Sequence, residues 1–313
     1  MSFHYEVIEE NGEVFDELTD LLNQVRLRIR RLGAEPVSLC RRNSAGEWKG
    51  FLHRDGNMEP PASGWTNHAT VMGYFTHRLW KEQSTYRGHT IKAGNHGFIR
   101  HFAFDAPDPR LAQEGSLVYK ISSDRIPKEG YPYKVSLQLT YRLVSEGVEV
   151  EFLFENEEAD TNAHLSFGLH PGFAVSSLKN FRLELPAGNY TLLEAPGNFL
   201  NGKSETVSHA GGDMPFSREG LPDSYLLDIR NLESRVFLLE DAELGHRIEL
   251  DYSQVPYLTI WSDGGDFLCV EPCWGLPDSN PPVPFDQKTG IQVIPPGGAL
   301  KKSFRIKPGF LIH

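Results

Sequence analysis

Alternation of apolar and polar residues dominates the chain and predicts antiparallel β-structure. Apolar side chains occupy the odd positions of residues 133–143, polar ones fill the even positions, and the alternation returns at residues 148–154 after a Ser-Glu-Gly turn. A period of two residues is typical of strands with one face on a core and one in water. The short turn between the two segments favours a hairpin. We therefore predict one long antiparallel hairpin here.

The same pattern predicts further strands. Val25, Leu27 and Ile29 alternate with three arginines, which indicates a half-buried strand with a basic outer face. The preceding residues 14–24 are compatible with either a short helix or a strand. After that basic strand the chain turns at Gly33 and runs on toward Cys40. Shorter strands are predicted at residues 181–185, 235–239, 247–252, 257–261, 267–270 and 303–307.

The connections between these strands indicate one domain. Glycine and proline are spread through the turns instead of being gathered into a linker, and no internal repeat occurs. We expect residues 1–313 to form a single all-β domain of stacked antiparallel sheets. Residues 43–100 are poor in alternation and rich in Gly, His, Trp and Asn. A long irregular segment in a compact domain is often functional.

Charge and cysteine content narrow the class of protein. A net charge of −11 argues against nucleic acid or an acidic membrane as the main partner. The acidic start of the chain differs from a signal peptide, and no run reaches the ~20 apolar residues of a membrane span. An extended chain would hold Cys269 and Cys273 roughly 13 Å apart, too far for a disulfide. With Cys40 as the third cysteine, we expect reduced thiols and a cytoplasmic location.

Two residues stand out as candidates for chemistry. Glu271 ends an apolar run in residues 255–279 and is followed by Pro272. A carboxylate in this setting either accepts strong hydrogen bonds or performs chemistry, and the residues themselves support both interpretations equally. His170 ends another apolar strand just before a Pro-Gly turn. Taken alone, it is better explained as a turn residue that caps backbone groups.

Other residues and motifs give weaker evidence for a functional site. Arg100 on a strand flank and Asp223 after a proline are, taken singly, typical of a solvated charge and a turn residue. The histidine spacings and the lone cysteine pair match no standard metal motif. No phosphate-binding glycine loop and no nucleophile elbow occur. The sequence thus predicts no metal and no organic cofactor.

Four stretches of the chain resemble the aldose 1-epimerase (galactose mutarotase-like) family. HPGF at residues 170–173 resembles its His-Pro-aromatic motif, and VPYLTIWS followed by FLCVEPCWGLPDS resembles its carboxyl-terminal motif. NHGFIR at residues 95–100 is similar to the HGFAR element of the bacterial and hexose-6-phosphate branches. RLGAEPVSL resembles an early strand pair of the family. The resemblance covers roughly residues 20–310.

This resemblance implies a β-supersandwich of large antiparallel sheets and a mutarotase activity on a hexose or hexose-6-phosphate. It makes His170 the general acid and Glu271 the general base, with a small sugar or sugar phosphate as the partner. The implied substrate-binding residues are His96, Arg100, Asp223, Arg78 and one of Trp261 and Trp274. Arg78, Arg87, Lys92 and Arg100 are the cations that such a phosphate would meet. Cys273 departs from the family pattern, and the resemblance leaves the oligomeric state open.

Two other functions remain open from the sequence. A non-catalytic sugar-binding or sensor protein would keep the same cleft without turnover. A glycoside hydrolase or lyase would use Glu271 and Asp223 as a pair of carboxylates, which requires them to face each other across the scissile bond.

Overall fold

The computed structural model describes residues 2–311 and builds them mainly from β-strands. The strands are β1 (Phe3–Glu10), β2 (Glu13–Asp20), β3 (Val25–Arg30), β4 (Glu35–Arg42), β5 (Trp48–Gly50), β6 (Ala69–Tyr74), β7 (Gln83–Tyr86), β8 (His89–Lys92), β9 (Ser116–Ile121), β10 (Val135–Val144), β11 (Gly147–Asn156), β12 (Ala163–Ala174), β13 (Phe181–Leu185), β14 (Gly188–Leu193), β15 (Ser204–His209), β16 (Gly212–Asp213), β17 (Tyr225–Asp228), β18 (Val236–Asp241), β19 (His246–Asp251), β20 (Tyr257–Trp261), β21 (Phe267–Trp274), β22 (Gln292–Ile294) and β23 (Ala299–Phe310). The helical elements are one short α-helix, α1 (Pro109–Gln113), and 3-10 turns at Trp80–Glu82, Ile99–His101, Ser123–Arg125, Pro196–Asn198, Arg218–Asp223 and Phe285–Gln287.

Three large antiparallel sheets organise these strands. The first has the order β1-β2-β3-β4-β5, and the second the order β16-β13-β18-β19-β23-β11-β10-β9. The third has the order β15-β14-β17-β20-β21-β12-β22, with β6 also paired to β12, and β7 and β8 form a separate hairpin. The predicted all-β supersandwich of large antiparallel sheets is confirmed. Within residues 2–311, no helix is both long and apolar enough to cross a membrane.

The main core lies between the second and third sheets. Phe154 on β11 packs against Phe167 on β12, with 4.7 Å between ring centroids. Phe167 in turn stacks on Trp274 of β21 at 5.0 Å. Because side chains alternate between the two faces of a strand, the neighbouring positions of β12 and β21 point to the opposite face of the third sheet. That opposite face carries the candidate site.

The alternation pattern located the strands well. The predicted hairpin is β10–β11, with Leu143 opposite Val148, and the basic strand is β3. The ambiguous residues 14–24 contain most of β2 and no helix. Its polar side chains are buried with partners, since Asp16 accepts hydrogen bonds from Arg31 and Tyr119. This burial of both faces explains why the alternation was hard to read there.

The segment from 43 to 100 is less irregular than its composition suggests. It contains β5 to β8, but these strands are short, and residues 51–68 form one long connection between β5 and β6. The three cysteines are buried and free.

Candidate active site

The register of the third sheet places His170 directly opposite Glu271. The pairs Gly168–Cys273 and Gly172–Cys269 join β12 to β21 on either side of these two residues. The ladder is interrupted between them, where Pro171 and Pro272 have no N–H to donate. The prediction that the strand ends at His170 is therefore wrong, because β12 continues through the proline to Ala174.

A row of side chains crosses five strands at this level. His170 is paired with Thr70 of β6, Glu271 with Thr259 of β20, and Thr259 with Leu226 of β17. All five line one cavity of about 440 Å³. This volume lies within the roughly 300–1,000 Å³ usual for small-molecule sites.

The two central side chains lie in contact and are both desolvated. His170 Nε2 lies 3.4 Å from Glu271 Oε1, and the exposed fractions of the two side chains are 8% and 2%. Burial raises the pKa of Glu271 well above its ordinary value. Burial, helped by the nearby His77 and Arg100, lowers the pKa of His170 to about 3. The contact distance would suit an ion pair, but desolvation disfavours both charges, so we assign the neutral forms to the free protein.

The centre of the cavity also holds polar atoms without partners. His170 Nδ1, Glu271 Oε2 and Thr70 Oγ1 are buried and make no hydrogen bond within the described part of the chain. An unsatisfied buried polar group costs roughly 1–3 kcal/mol, so such groups cluster where a polar ligand completes them. The site is therefore suited to a ligand rich in hydroxyl groups.

His96 reaches the cavity from a tight turn. Its Nδ1 accepts a hydrogen bond from the backbone N–H of His77 at 3.2 Å. Burial, together with the charges of His170 and His77, lowers the pKa of His96 well below its ordinary value. The neutral ring therefore carries its proton on Nε2 and is a hydrogen-bond donor there. Its ring is perpendicular to the His170 ring, with 5.1 Å between centroids.

We expect Gly97→Ala to destabilise the protein by about 2 kcal/mol or more, since it adds a clash to an unfavourable φ. Gly97 has a φ of +74°, and a Cβ there would lie 2.4 Å from the carbonyl oxygen of Gly73. Gly88→Ala is the matched control, because Gly88 has a similar φ of +80° and open space around it. Urea unfolding of both variants measures the difference. Equal losses would show that the close approach to Gly73 contributes nothing.

The remaining predicted site residues line the same cavity. They are Arg78, Arg100, Asp223 and Trp261. Arg100 belongs to the 3-10 turn Ile99–His101, and burial lowers its pKa while the nearby Glu35 opposes that shift. Asp223 ends the 3-10 turn that precedes β17.

Four residues named from the sequence lie elsewhere. Trp274 is in the core against Phe167. Of the two tryptophans named from the sequence, Trp261 is therefore the one that faces the cavity, 5.5 Å from the His170 ring. The expectation that Arg87 and Lys92 accompany Arg100 is wrong. They belong to the β7–β8 hairpin, which carries them away from the cavity wall. Buried Cys273 lies behind the wall, 3.8 Å from the Thr259 hydroxyl.

The sequence missed several cavity residues. Trp65, Asn67 and His77 all come from the segment that lacks alternation, so no pattern singled them out. Thr259 could have been found, because it shares a strand face with Trp261 and lies two residues before it.

Comparisons with known proteins agree with this architecture. The family model for aldose 1-epimerase matches residues 82–307. The LacX protein of Lactococcus lactis is 24% identical over 225 residues, which cover 67% of this chain and 73% of that protein. A galactose mutarotase-related enzyme from Lactobacillus acidophilus has a TM-score of 0.80 at 20% identity, covering 98% of this chain and 97% of that one. A galactose mutarotase-like protein from Lactobacillus casei has a TM-score of 0.79 at 23% identity, covering 98% and 100%.

Proposed function

Because the chain belongs to the aldose 1-epimerase family, we propose that it interconverts the α and β anomers of a hexose, with His170 as general acid and Glu271 as general base. The observation that carries this proposal is the contact between the two side chains, 3.4 Å apart in a polar cavity. A base and an acid side by side can serve two oxygen atoms attached to the same carbon, which is what ring opening at C1 requires.

The reaction proceeds by two proton transfers in each direction. Glu271 takes the proton of the C1 hydroxyl while His170 gives a proton to the ring oxygen. The bond between C1 and the ring oxygen breaks, its electrons stay on that oxygen, and C1 becomes an aldehyde carbon. Rotation about the C1–C2 bond exposes the other face of the aldehyde. The reverse transfers then close the ring and restore both side chains.

The protonation of the pair suits this cycle. Neutral imidazole with protonated carboxyl holds as many protons as imidazolium with carboxylate, so one transfer between Nε2 and Oε1 converts the resting pair into the working pair. No exchange with solvent is needed. Binding a sugar surrounds both groups with hydroxyls, which stabilises the charged forms that the free protein disfavours.

The other cavity residues support binding of the sugar. His96 donates from Nε2 to a ring hydroxyl, Asp223 accepts hydrogen bonds from hydroxyls, and Trp261 offers its indole to the sugar ring. Arg78 and Arg100 make no salt bridge within residues 2–311, which favours a phosphorylated hexose over a neutral one. We propose that residues 1–313 act together as one domain in this function.

The test is polarimetry of freshly dissolved α-glucose, α-galactose and their 6-phosphates with and without the protein. We expect the approach to anomeric equilibrium to accelerate in proportion to protein concentration. Folded protein that accelerates none of the four sugars would contradict the proposal. Binding of a sugar without acceleration would indicate the sensor function, and release of sugar from a glycoside would indicate a hydrolase.

A further inference from the structure

The indole of Trp65 lies against the ring of His170. The two rings are stacked, with 4.8 Å between centroids and 26° between planes. The ring planes of Trp261 and His96 are nearly perpendicular to the same imidazole. Trp65 is thus the one of these three neighbours whose ring stacks nearly parallel on the imidazole. It belongs to the long connection between β5 and β6, a segment that the acid–base chemistry does not otherwise use.

Three independent features hold this indole in place. The Asp263 carboxylate accepts a hydrogen bond from the Trp65 backbone N–H at 2.7 Å. With its amide oriented to satisfy both neighbours, Asn67 accepts hydrogen bonds from Trp65 Nε1 and from Arg100, each at 3.3 Å. Gly172, two residues after His170, makes room for the ring, since a Cβ there would lie 2.4 Å from the indole carbon Cζ3.

We propose that Trp65 is a positioning residue for the acid: it fixes the plane of the His170 ring and shields that ring from water, and Asp263 and Gly172 serve to hold it there. This inference rests on the proposed mutarotase function. It assigns a role to Trp65, which packs against Gly172 of β12 and takes part in neither proton transfer.

The charges around His170 explain why shielding matters. Glu271 faces the ring at 3.4 Å but is protonated in the free protein, and His96 is neutral. The nearby His77 and Arg100 disfavour the imidazolium. Desolvation is the largest of the effects on this imidazole. An imidazolium that water does not stabilise gives up its proton more readily, so the covered ring is a stronger acid toward the sugar ring oxygen. Uncovering the ring would admit water and weaken that acid.

The test compares Trp65→Ala, Trp65→Phe and Asp263→Asn with wild type in steady-state mutarotation across pH. Trp48→Ala is the matched control, because Trp48 lies beneath the guanidinium groups of Arg26 and Arg42, outside the residues that line the cavity. For Trp65→Ala we expect kcat to fall about tenfold or more, with KM changed less than about threefold. Trp65→Phe should recover most of the loss, and Asp263→Asn should reproduce part of it.

The pH profile separates this role from a merely structural one. In the active state His170 and Glu271 share one proton. When a second proton binds to His170, Glu271 stays protonated and cannot act as the base, so activity falls as pH decreases through the pKa of His170. Water at the ring should move this acid limb upward, toward the ordinary imidazole value of 6.5, in Trp65→Ala and not in Trp48→Ala. NMR titration of the His170 ring in the free protein should show the same upward shift, independently of activity.

Other results would overturn the inference. A rise in KM with unchanged kcat and an unmoved acid limb would mean that Trp65 contacts the sugar instead. An unchanged NMR titration in folded Trp65→Ala would rule out shielding whatever the activity. Should that variant fail to fold, Gly172→Ala displaces the indole from the other side, and an unmoved acid limb there would equally reject the proposal. Wild-type protein without mutarotation would refute the proposed function, whereas the NMR titration would still decide whether Trp65 shields His170.

Discussion

Glu271→Gln should lower kcat for mutarotation by about 10²–10⁴-fold while leaving sugar affinity nearly intact. Glutamine fills the same volume and keeps one acceptor oxygen, but it cannot take the C1 proton. The loss therefore falls on the transition state, and kcat and kcat/KM should decrease together. Polarimetry gives the rates and calorimetry the affinity. Unchanged turnover would remove Glu271 from the reaction, and loss of binding with residual turnover would make it a substrate-binding group.

The same substitution should stabilise the fold at neutral pH. Burial raises the pKa of Glu271 in the folded state, so folding is penalised once pH exceeds the value of about 4.3 for an unfolded glutamate. That penalty grows until pH reaches the folded-state pKa and is then constant. Glu271→Gln should therefore have a higher Tm than wild type at pH near 7 and a similar Tm near pH 4. Glu205→Gln, at an exposed position of β15, is the control and should change neither Tm nor rate.

Opposite effects on activity and stability would identify a functional carboxylate. A glutamate retained for structure stabilises the fold through its hydrogen bonds, and its loss lowers Tm. Glu271 Oε2 has no hydrogen-bond partner in residues 2–311, and Oε1 faces His170. A lower Tm for Glu271→Gln at neutral pH would contradict this prediction. It would mean that the carboxylate stabilises the folded protein through interactions made without a ligand.

The sequence was sufficient for most of the strands and for the faces they bury. The alternation in residues 133–154 specifies the β10–β11 hairpin because the odd positions of β10 and the even positions 148–154 of β11 meet the core between the sheets. The strand predicted at residues 257–261 is β20, and its alternating positions Thr259 and Trp261 both line the cavity. Local pattern works where a strand has one wet face, and it failed at β2, where buried Asp16 breaks the pattern.

The site itself depends on register between distant strands, which local pattern does not encode. His170 and Glu271 are opposite each other only because β12 and β21 pair as they do. The local sequence feature of this arrangement is the proline that follows each residue. Pro171 and Pro272 both interrupt the hydrogen-bond ladder between β12 and β21 at the level of the site. The family resemblance predicted that His170 and Glu271 act together, which their separation in the sequence did not indicate. No sequence feature marks Trp65, because the chain around it is irregular and its neighbours are set by tertiary contacts.

His170→Gln should lower kcat by about 10²–10⁴-fold, because the amide cannot protonate the ring oxygen. His89→Gln is the control, since His89 is exposed on β8 and lies outside the cavity-lining residues. In wild type, activity should fall as pH rises through the raised pKa of Glu271, when the pair loses the proton it shares. It should persist well below pH 6.5, because the pKa of His170 is held to about 3.

The double variant His170→Gln/Glu271→Gln decides whether the two residues act as one unit. Both protons move in the same ring-opening step, so removing either group already forces the reaction through water. The double variant should then be no slower than the slower single variant, within about tenfold, instead of showing the product of the two losses. Polarimetry on the two single variants and the double variant closes the cycle. Multiplying losses would mean that His170 and Glu271 contribute at separate steps, and the 3.4 Å contact between them would not be the basis of catalysis.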